Sequence, residues 1–94
     1  MIERQDSVLY VQGDVTVANA AEVEQAGRAQ IAGVKIIDLS RVGHVDSSML
    51  AVLTAWVRFC RDTQPDLRII QPPAALQQLA ELYGVQQVLP FGSA

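Results

Sequence analysis

The clearest hydrophobic pattern lies in the middle of the chain. Residues 34–39 form a β-branched apolar run that includes Asp38, as expected for a strand buried on both faces. Residues 47–62 carry apolar side chains at helical spacing after a polar first turn. The segment 41–45 between them has neither pattern and predicts a short loop. We therefore expect a central strand, a loop, and a helix that begins at Asp46, Ser47 and Ser48, whose side-chain oxygens suit a helix N-terminus.

The rest of the chain predicts a small α/β domain. Strands are predicted at 7–13 and 15–17, with a turn at Gly13 and Asp14 between them, and at 67–71. Helices are predicted from Asn19 to Ile31, with Glu22 in a capping box, and from Pro73 to Gly84, with Tyr83 on the inner stripe. The tail 85–91 either adds an edge strand or packs against the domain. The order β-β-α-β-α-β-α predicts a mixed sheet of four to five strands with its helices mainly on one side.

The helix 47–62 has an unusually wide apolar stripe. At 100° per residue, the apolar side chains from Leu50 round to Phe59 cover about half of the circumference, more than a helix on a sheet needs. Either part of this flank is exposed and meets a partner, or a neighbouring element covers it. Cys60 lies near the middle of the stripe, which indicates an inert buried thiol.

Composition narrows the function classes. The 94 residues correspond to one domain, 1–94, and the net charge of −3 argues against nucleic acid as the main partner. No apolar run is long enough to span a bilayer, and the polar N-terminus lacks a signal-peptide pattern, so we expect a cytoplasmic protein. One cysteine and one histidine predict no disulfide, no metal site and no cofactor.

Catalytic patterns are weak. Ser47 has only His44 nearby as a base, and no glycine elbow surrounds it, so we predict no catalytic residues and no enzyme. Asp38 is expected to be structural, accepting hydrogen bonds from the residues after it. Ser47 has two interpretations that these residues do not separate: a helix cap, or a phosphorylation site that would place about two negative charges at the helix start.

Two segments resemble a known family. Residues 37–42 (IDLSRV) and 45–50 (VDSSML) resemble the signature of STAS domains, and the fold pattern agrees over the whole chain. Residues 79–84 (LAELYG) and 88–90 (VLP) are similar to the C-terminal pattern of the MlaB-type members. The resemblance implies a SpoIIAA-like STAS fold.

The resemblance also implies a function. MlaB-type proteins are non-catalytic subunits that bind an MlaF-type ABC ATPase on the cytoplasmic face of the inner membrane. That ATPase works with an MlaE-type permease and an MlaD-type lipid-binding protein in phospholipid transport that maintains outer-membrane lipid asymmetry. Ser47 matches the Ser or Thr of the family's Asp-[Ser/Thr] motif, which lies at the interface with the ATPase in MlaB-type proteins. We expect the partner interface to consist of Asp46, Ser47, Ser48, Met49, Leu50 and Thr54, with Val57 and Arg58 as its extension along the helix. Met49 stands where STAS motifs usually carry Gly, and we expect its flexible side chain to favour a partner with an apolar groove.

Other functions stay open. The main alternative is an anti-sigma-factor antagonist switched by phosphorylation of Ser47, as in SpoIIAA-like members of the family. A small lipid- or nucleotide-binding carrier would need a pocket that the sequence does not reveal. A hydrolase with Ser47 as its nucleophile would need a base that the sequence does not supply.

Overall fold

The computed structural model describes residues 1–92 and contains five strands and three helices in that range. In chain order they are β1 (Ile2–Gln5), β2 (Val8–Val15), α1 (Ala20–Arg28), β3 (Ile36–Val45), α2 (Ser48–Cys60), β4 (Arg68–Ile70), α3 (Ala74–Leu82) and β5 (Phe91–Gly92). This confirms the predicted α/β class and element order, with a fifth strand at the end.

The five strands form one mixed sheet in the order β1-β2-β3-β4-β5. Strand β1 pairs with β2 antiparallel, and the other neighbours pair in parallel, with Leu9 beside Ile37 and Ile37 beside Ile69. These three side chains are fully buried, whereas their neighbours along the strands are partly exposed. Because burial alternates in this way, the helices cover one face of the sheet. The prediction that the central strand is buried on both faces is therefore wrong.

The core between sheet and helices is built around Trp56 of α2. Its side chain is fully buried, and its indole N–H donates to the backbone carbonyl of Glu24 in α1 at 2.9 Å. Gly27 of α1 lies directly against the ring, since a Cβ added there would come within 2.2 Å of Trp56 Cζ2. This close approach packs α1 against α2.

The N-terminal strand boundaries were predicted wrongly. Residues 2–5 form β1 although their composition is polar, because this edge strand is held by antiparallel pairing with β2. The predicted strands 7–13 and 15–17 are one continuous strand β2 as far as Val15. The expected turn at Gly13 and Asp14 is a kink inside β2, where Gly13 has a φ of +84° and the pairing with β3 shifts register.

Three further predictions need correction. The segment 41–45 is part of β3, because it continues to pair with β2 as far as Val45. Helix α1 ends at Arg28, and the Asn19 side chain makes no cap: its amide donates to Asp14 O and its Oδ1 accepts the Thr16 N–H. Tyr83 follows α3 with an exposed side chain.

The end of α3 and the tail agree with the predicted pattern. Gly84 has a φ of +70° and ends α3 as expected. The tail both adds the short edge strand β5 beside β4 and buries the side chain of Leu89.

Candidate protein-docking site

Asp46 caps helix α2. Its Oδ1 accepts the Ser48 N–H at 2.8 Å, and its Oδ2 accepts the Val17 N–H at 2.9 Å. The Val17 and Ser48 N–H groups, in that order of effect, lower the pKa of the Asp46 carboxyl. Ser47 has helical dihedrals and makes no side-chain cap, so the interpretation of Ser47 as the helix cap is wrong.

Ser47 is consequently free on the surface. Its side chain is exposed and, within residues 1–92, its hydroxyl makes no hydrogen bond. Ser48, the next residue, is partly buried. The first turn of α2 therefore presents one unengaged hydroxyl at the end of the helix where backbone N–H groups favour negative charge.

Met49 and Leu50 turn towards the core. Met49 is fully buried and Leu50 is 6% exposed. The expectation that Met49 offers a flexible apolar side chain to a partner is therefore wrong. The Met49 side chain points away from solvent. It therefore adds no bulk to the outer surface of the first turn, just as a smaller residue at this position would add none.

A shallow groove runs along α2 from Ser47. It has a volume of about 460 Å³, and residues of α2 and of the segment after α3 line it: Ser47, Leu50, Ala51, Thr54, Ala55, Arg58, Tyr83 and Val85. We call this feature the α2 groove. The Thr54 hydroxyl donates to the Leu50 carbonyl at 2.7 Å, so this polar group of the groove lining is already paired within α2. Ser47, Leu50 and Thr54 of the predicted interface share this surface.

The wide apolar stripe of α2 is exposed at one flank only. Phe59 is 56% exposed, and Val57 is partly buried, while Cys60 is 1% exposed. Burial raises the pKa of the Cys60 thiol, as expected for an inert buried cysteine.

The other polar candidates lie apart from Ser47. Nδ1 of His44 lies 3.6 Å from Asp14 Oδ1, and the same oxygen accepts the His44 N–H. The carboxylate of Asp14 is therefore the partner of His44 near the end of β3. Asp38 Oδ1 accepts the Ser40 N–H at 2.8 Å, the structural role predicted for it. Residues 1–92 contain no cluster of three metal-ligating side chains, and no helix among them has the length and apolar character needed to cross a membrane.

Sequence reasoning missed two contributors to this site. Tyr83 and Val85 line the α2 groove only because α3 ends beside α2, and a helical pattern alone gives no sign of that neighbour. The capping role of Asp46 did have a local signal, since Asp followed two residues later by a helical N–H is a recurrent capping arrangement.

The five-stranded mixed sheet with its three helices is a small α/β domain of the STAS class. A family model described as "Mlab, STAS domain" matches residues 1–90. The chain therefore belongs to the MlaB STAS-domain family. No curated protein matches the sequence.

Solved structures support the same fold. An anti-sigma factor antagonist from Mycobacterium paratuberculosis is 24% identical, with a TM-score of 0.75 over 97% of this chain and 81% of its own. A candidate anti-sigma factor antagonist from Thermotoga maritima is 13% identical, with a TM-score of 0.73 over 100% of this chain and 85% of its own. Phosphorylated SpoIIAA of Bacillus is 14% identical (TM-score 0.64, 100% and 89% covered). At these identities the likeness concerns the fold.

Proposed function

We propose that this protein is a non-catalytic regulatory subunit that acts by docking the first turn of α2 and the α2 groove on a partner protein. The proposal rests on the different roles of two neighbouring residues, Asp46 and Ser47, at the start of α2. Asp46 supplies the cap, so the exposed hydroxyl of Ser47 has no structural task. A contact residue or a modification site needs this freedom.

One candidate partner is an anti-sigma factor with serine-kinase activity. The solved neighbours are anti-sigma factor antagonists, and one of them was solved in a phosphorylated form. Because Met49 is buried, its side chain does not crowd the start of α2 where a kinase would have to approach Ser47. Phosphorylation of Ser47 would add close to two negative charges, which the helix N-terminus tolerates but a packed partner surface would repel. Judged by the solved structures, an anti-sigma factor is at least as well supported as the second candidate partner, the ATPase of an ABC-type transporter.

The other candidate partner is the ATPase of an ABC-type phospholipid transporter. The family description names MlaB, and the resemblance of residues 79–84 and 88–90 is to that group. In this case the chain would sit at the cytoplasmic face of the inner membrane through an MlaF-type ATPase, in one complex with the permease and the lipid-binding protein. Leu50 and Thr54, together with Ser47, would form the contact.

In either case regulation needs differential binding. A subunit that binds the active arrangement of its partner better than the inactive one shifts the partner towards activity, whereas equal affinity for both shifts nothing. The Asp46 cap reduces the conformational entropy lost on docking, but it does so for both states of the partner, so the difference in affinity must come from contacts that only one state makes.

Affinity purification tests the proposal. The tagged chain is recovered from detergent-solubilised cells of its source organism, and co-purifying proteins are identified by mass spectrometry. Ser47→Arg places a bulky charge on the docking surface, and Thr63→Arg places the same charge on an exposed turn beyond the other end of α2. We expect the partner to be lost with Ser47→Arg and retained with Thr63→Arg.

The identity of the partner separates the two candidates. An ABC ATPase with its permease supports the transporter subunit. A soluble kinase that transfers one phosphoryl group to Ser47 supports the antagonist. If the same partners are recovered with Ser47→Arg as with the wild type, the docking surface is elsewhere and the proposal is wrong.

A further inference from the structure

The α2 groove contains a single charged side chain. Its lining is otherwise small, apolar or uncharged, and Arg58 closes its far end. Among the described residues the Arg58 guanidinium forms no salt bridge, as is also true of Lys35, Arg61 and Arg68, but Arg58 is the cation that lines the α2 groove. A lone exposed cation at the end of an apolar groove is a charge that a partner can complement.

The dimensions of the groove match a short helix. From Ser47 to Arg58 the groove follows α2 for eleven residues, which corresponds to about 16 Å, or three helical turns. On the α2 side it is lined by the small side chains of Ala51 and Ala55, and on the other side by Tyr83, which is 58% exposed. Small residues along one wall permit close approach of another helix, and an exposed aromatic side chain offers an anchor.

We infer that the partner places an amphipathic helix of about three turns in the α2 groove, with a carboxylate near one end that pairs with Arg58. The inference rests on the proposed function and specifies the chemistry of the partner at that same surface. The apolar stripe of the incoming helix covers Leu50, Ala55 and Val85. The ion pair with Arg58 sets its position along the groove, since a shift by one turn would separate the two charges by about 5 Å.

The test compares two arginines on the same helix. Arg58 lines the α2 groove, whereas Arg61 is exposed outside it. The probe is the purified protein that co-purifies with the wild-type chain and is lost with Ser47→Arg, and its dissociation constant is measured by calorimetry. We expect Arg58→Glu to weaken binding at least about tenfold and Arg61→Glu to change it by less than about twofold. Circular dichroism and urea unfolding confirm that both variants fold.

Two further measurements sharpen the test. Arg58→Gln should reduce the dependence of the dissociation constant on salt, because it removes one ion pair without adding a repulsion. Tyr83→Ala should weaken binding without loss of stability, since more than half of this side chain is exposed. Replacing the acidic residue of the partner's docked helix by Arg should restore binding to the Arg58→Glu variant of this protein.

The outcomes distinguish this inference from the proposed function. If Ser47→Arg abolishes binding but Arg58→Glu and Arg61→Glu bind equally well, the docking surface stands and the acidic helix is refuted. If no protein is lost with Ser47→Arg, the proposed function is wrong and the inference falls with it.

Discussion

The carboxylate of Asp46 accepts a hydrogen bond from the Ser48 N–H at 2.8 Å. Helix α2 is therefore capped by the residue that precedes Ser47, and not by Ser47 itself. The second oxygen of the same carboxylate accepts a hydrogen bond from the Val17 N–H at 2.9 Å. One side chain thus joins the start of α2 to the segment between β2 and α1. This arrangement fixes the position of the Ser47 turn while leaving the Ser47 hydroxyl free.

Replacing the cap should affect stability, whereas replacing the neighbouring serine should not. Asp46→Ala removes two hydrogen bonds and a negative charge from the helix N-terminus, so we expect a lower urea midpoint. Ser47→Ala should change the free energy of unfolding by less than about 0.5 kcal/mol, as for an exposed residue with no contacts. Chemical denaturation followed by circular dichroism measures both. The opposite order would restore Ser47 as the cap.

The cap also predicts a pH dependence. The pKa of Asp46 in the folded protein lies below its ordinary value of 3.8, so the unfolded chain binds a proton first as the pH falls. The stability contributed by this carboxylate is therefore complete well above pH 3.8 and is lost as the pH falls through the folded pKa.

The variant Asp46→Asn isolates this effect. We expect the difference in unfolding free energy between wild type and Asp46→Asn to be constant above about pH 5 and to shrink below it. The pKa of Glu3 is also lowered, mainly by the amides of Gln5 and Gln12, but Glu3 is present in both proteins and cancels in the difference. A difference that does not change between pH 6 and pH 3 would contradict an ionised cap.

Strong periodic patterns predicted most of the fold. Helix α2 was predicted from the helical spacing of its apolar side chains, and the first half of β3 from its run of β-branched apolar residues. Strand β1 escaped prediction because its polar residues are held by pairing with β2, an interaction between chain segments. For the same reason, Gly13 and residues 41–45 look like a turn and a loop in isolation, yet both lie within paired strands.

The candidate site was predictable only in part. The position of Ser47 at a helix start follows from local sequence, and the structure places it there. The burial of Met49 and the contribution of Tyr83 to the α2 groove depend on how α2 sits on the sheet and where α3 ends. Such relationships arise from packing, which the spacing of residues along the chain does not reveal.

The contact between Gly27 and Trp56 predicts a costly substitution. Alanine is normally favoured over glycine within a helix by about 1 kcal/mol. In α1, however, the new Cβ would lie 2.2 Å from the ring of Trp56, which is fully buried and cannot move aside. We therefore expect Gly27→Ala to destabilise the protein by about 1–3 kcal/mol, measured by urea unfolding.

A double-mutant cycle identifies the cause. Trp56→Phe shortens the ring system and leaves room beside Gly27, so Gly27→Ala should cost less in that background. If the cost of Gly27→Ala is the same with Trp56 and with Phe, the destabilisation does not come from this contact.

The thiol of Cys60 should be unreactive in the folded protein. It is 1% exposed, and its raised pKa reduces the fraction of thiolate, the nucleophilic form. We expect a disulfide reagent at pH 8 to modify the unfolded chain rapidly, and the folded chain only as fast as it opens. Fast modification without urea would show that the C-terminal half of α2 is open to solvent.

Gly84 links the stability of α3 to the shape of the α2 groove. Its φ of +70° lets the Gly84 N–H donate to the Glu81 carbonyl and the Val85 N–H donate to the Ala80 carbonyl, which closes α3 in a Schellman motif. This turn places Tyr83 and Val85 in the groove wall. Gly84→Ala should cost about 1 kcal/mol because a Cβ opposes the left-handed conformation, and Gly84→Asn should cost less.

The same pair of variants tests the groove as a docking surface. Since a Cβ at position 84 would meet no atom within 4 Å, the strain lies in the backbone alone, and its relief would shift Tyr83 and Val85. We therefore expect Gly84→Ala to weaken partner binding more than Gly84→Asn does, although residue 84 does not line the groove. Calorimetric titration of the partner recovered with the wild-type chain measures this order. Equal affinities for the two variants, despite unequal stabilities, would mean that the wall formed by Tyr83 and Val85 takes no part in docking.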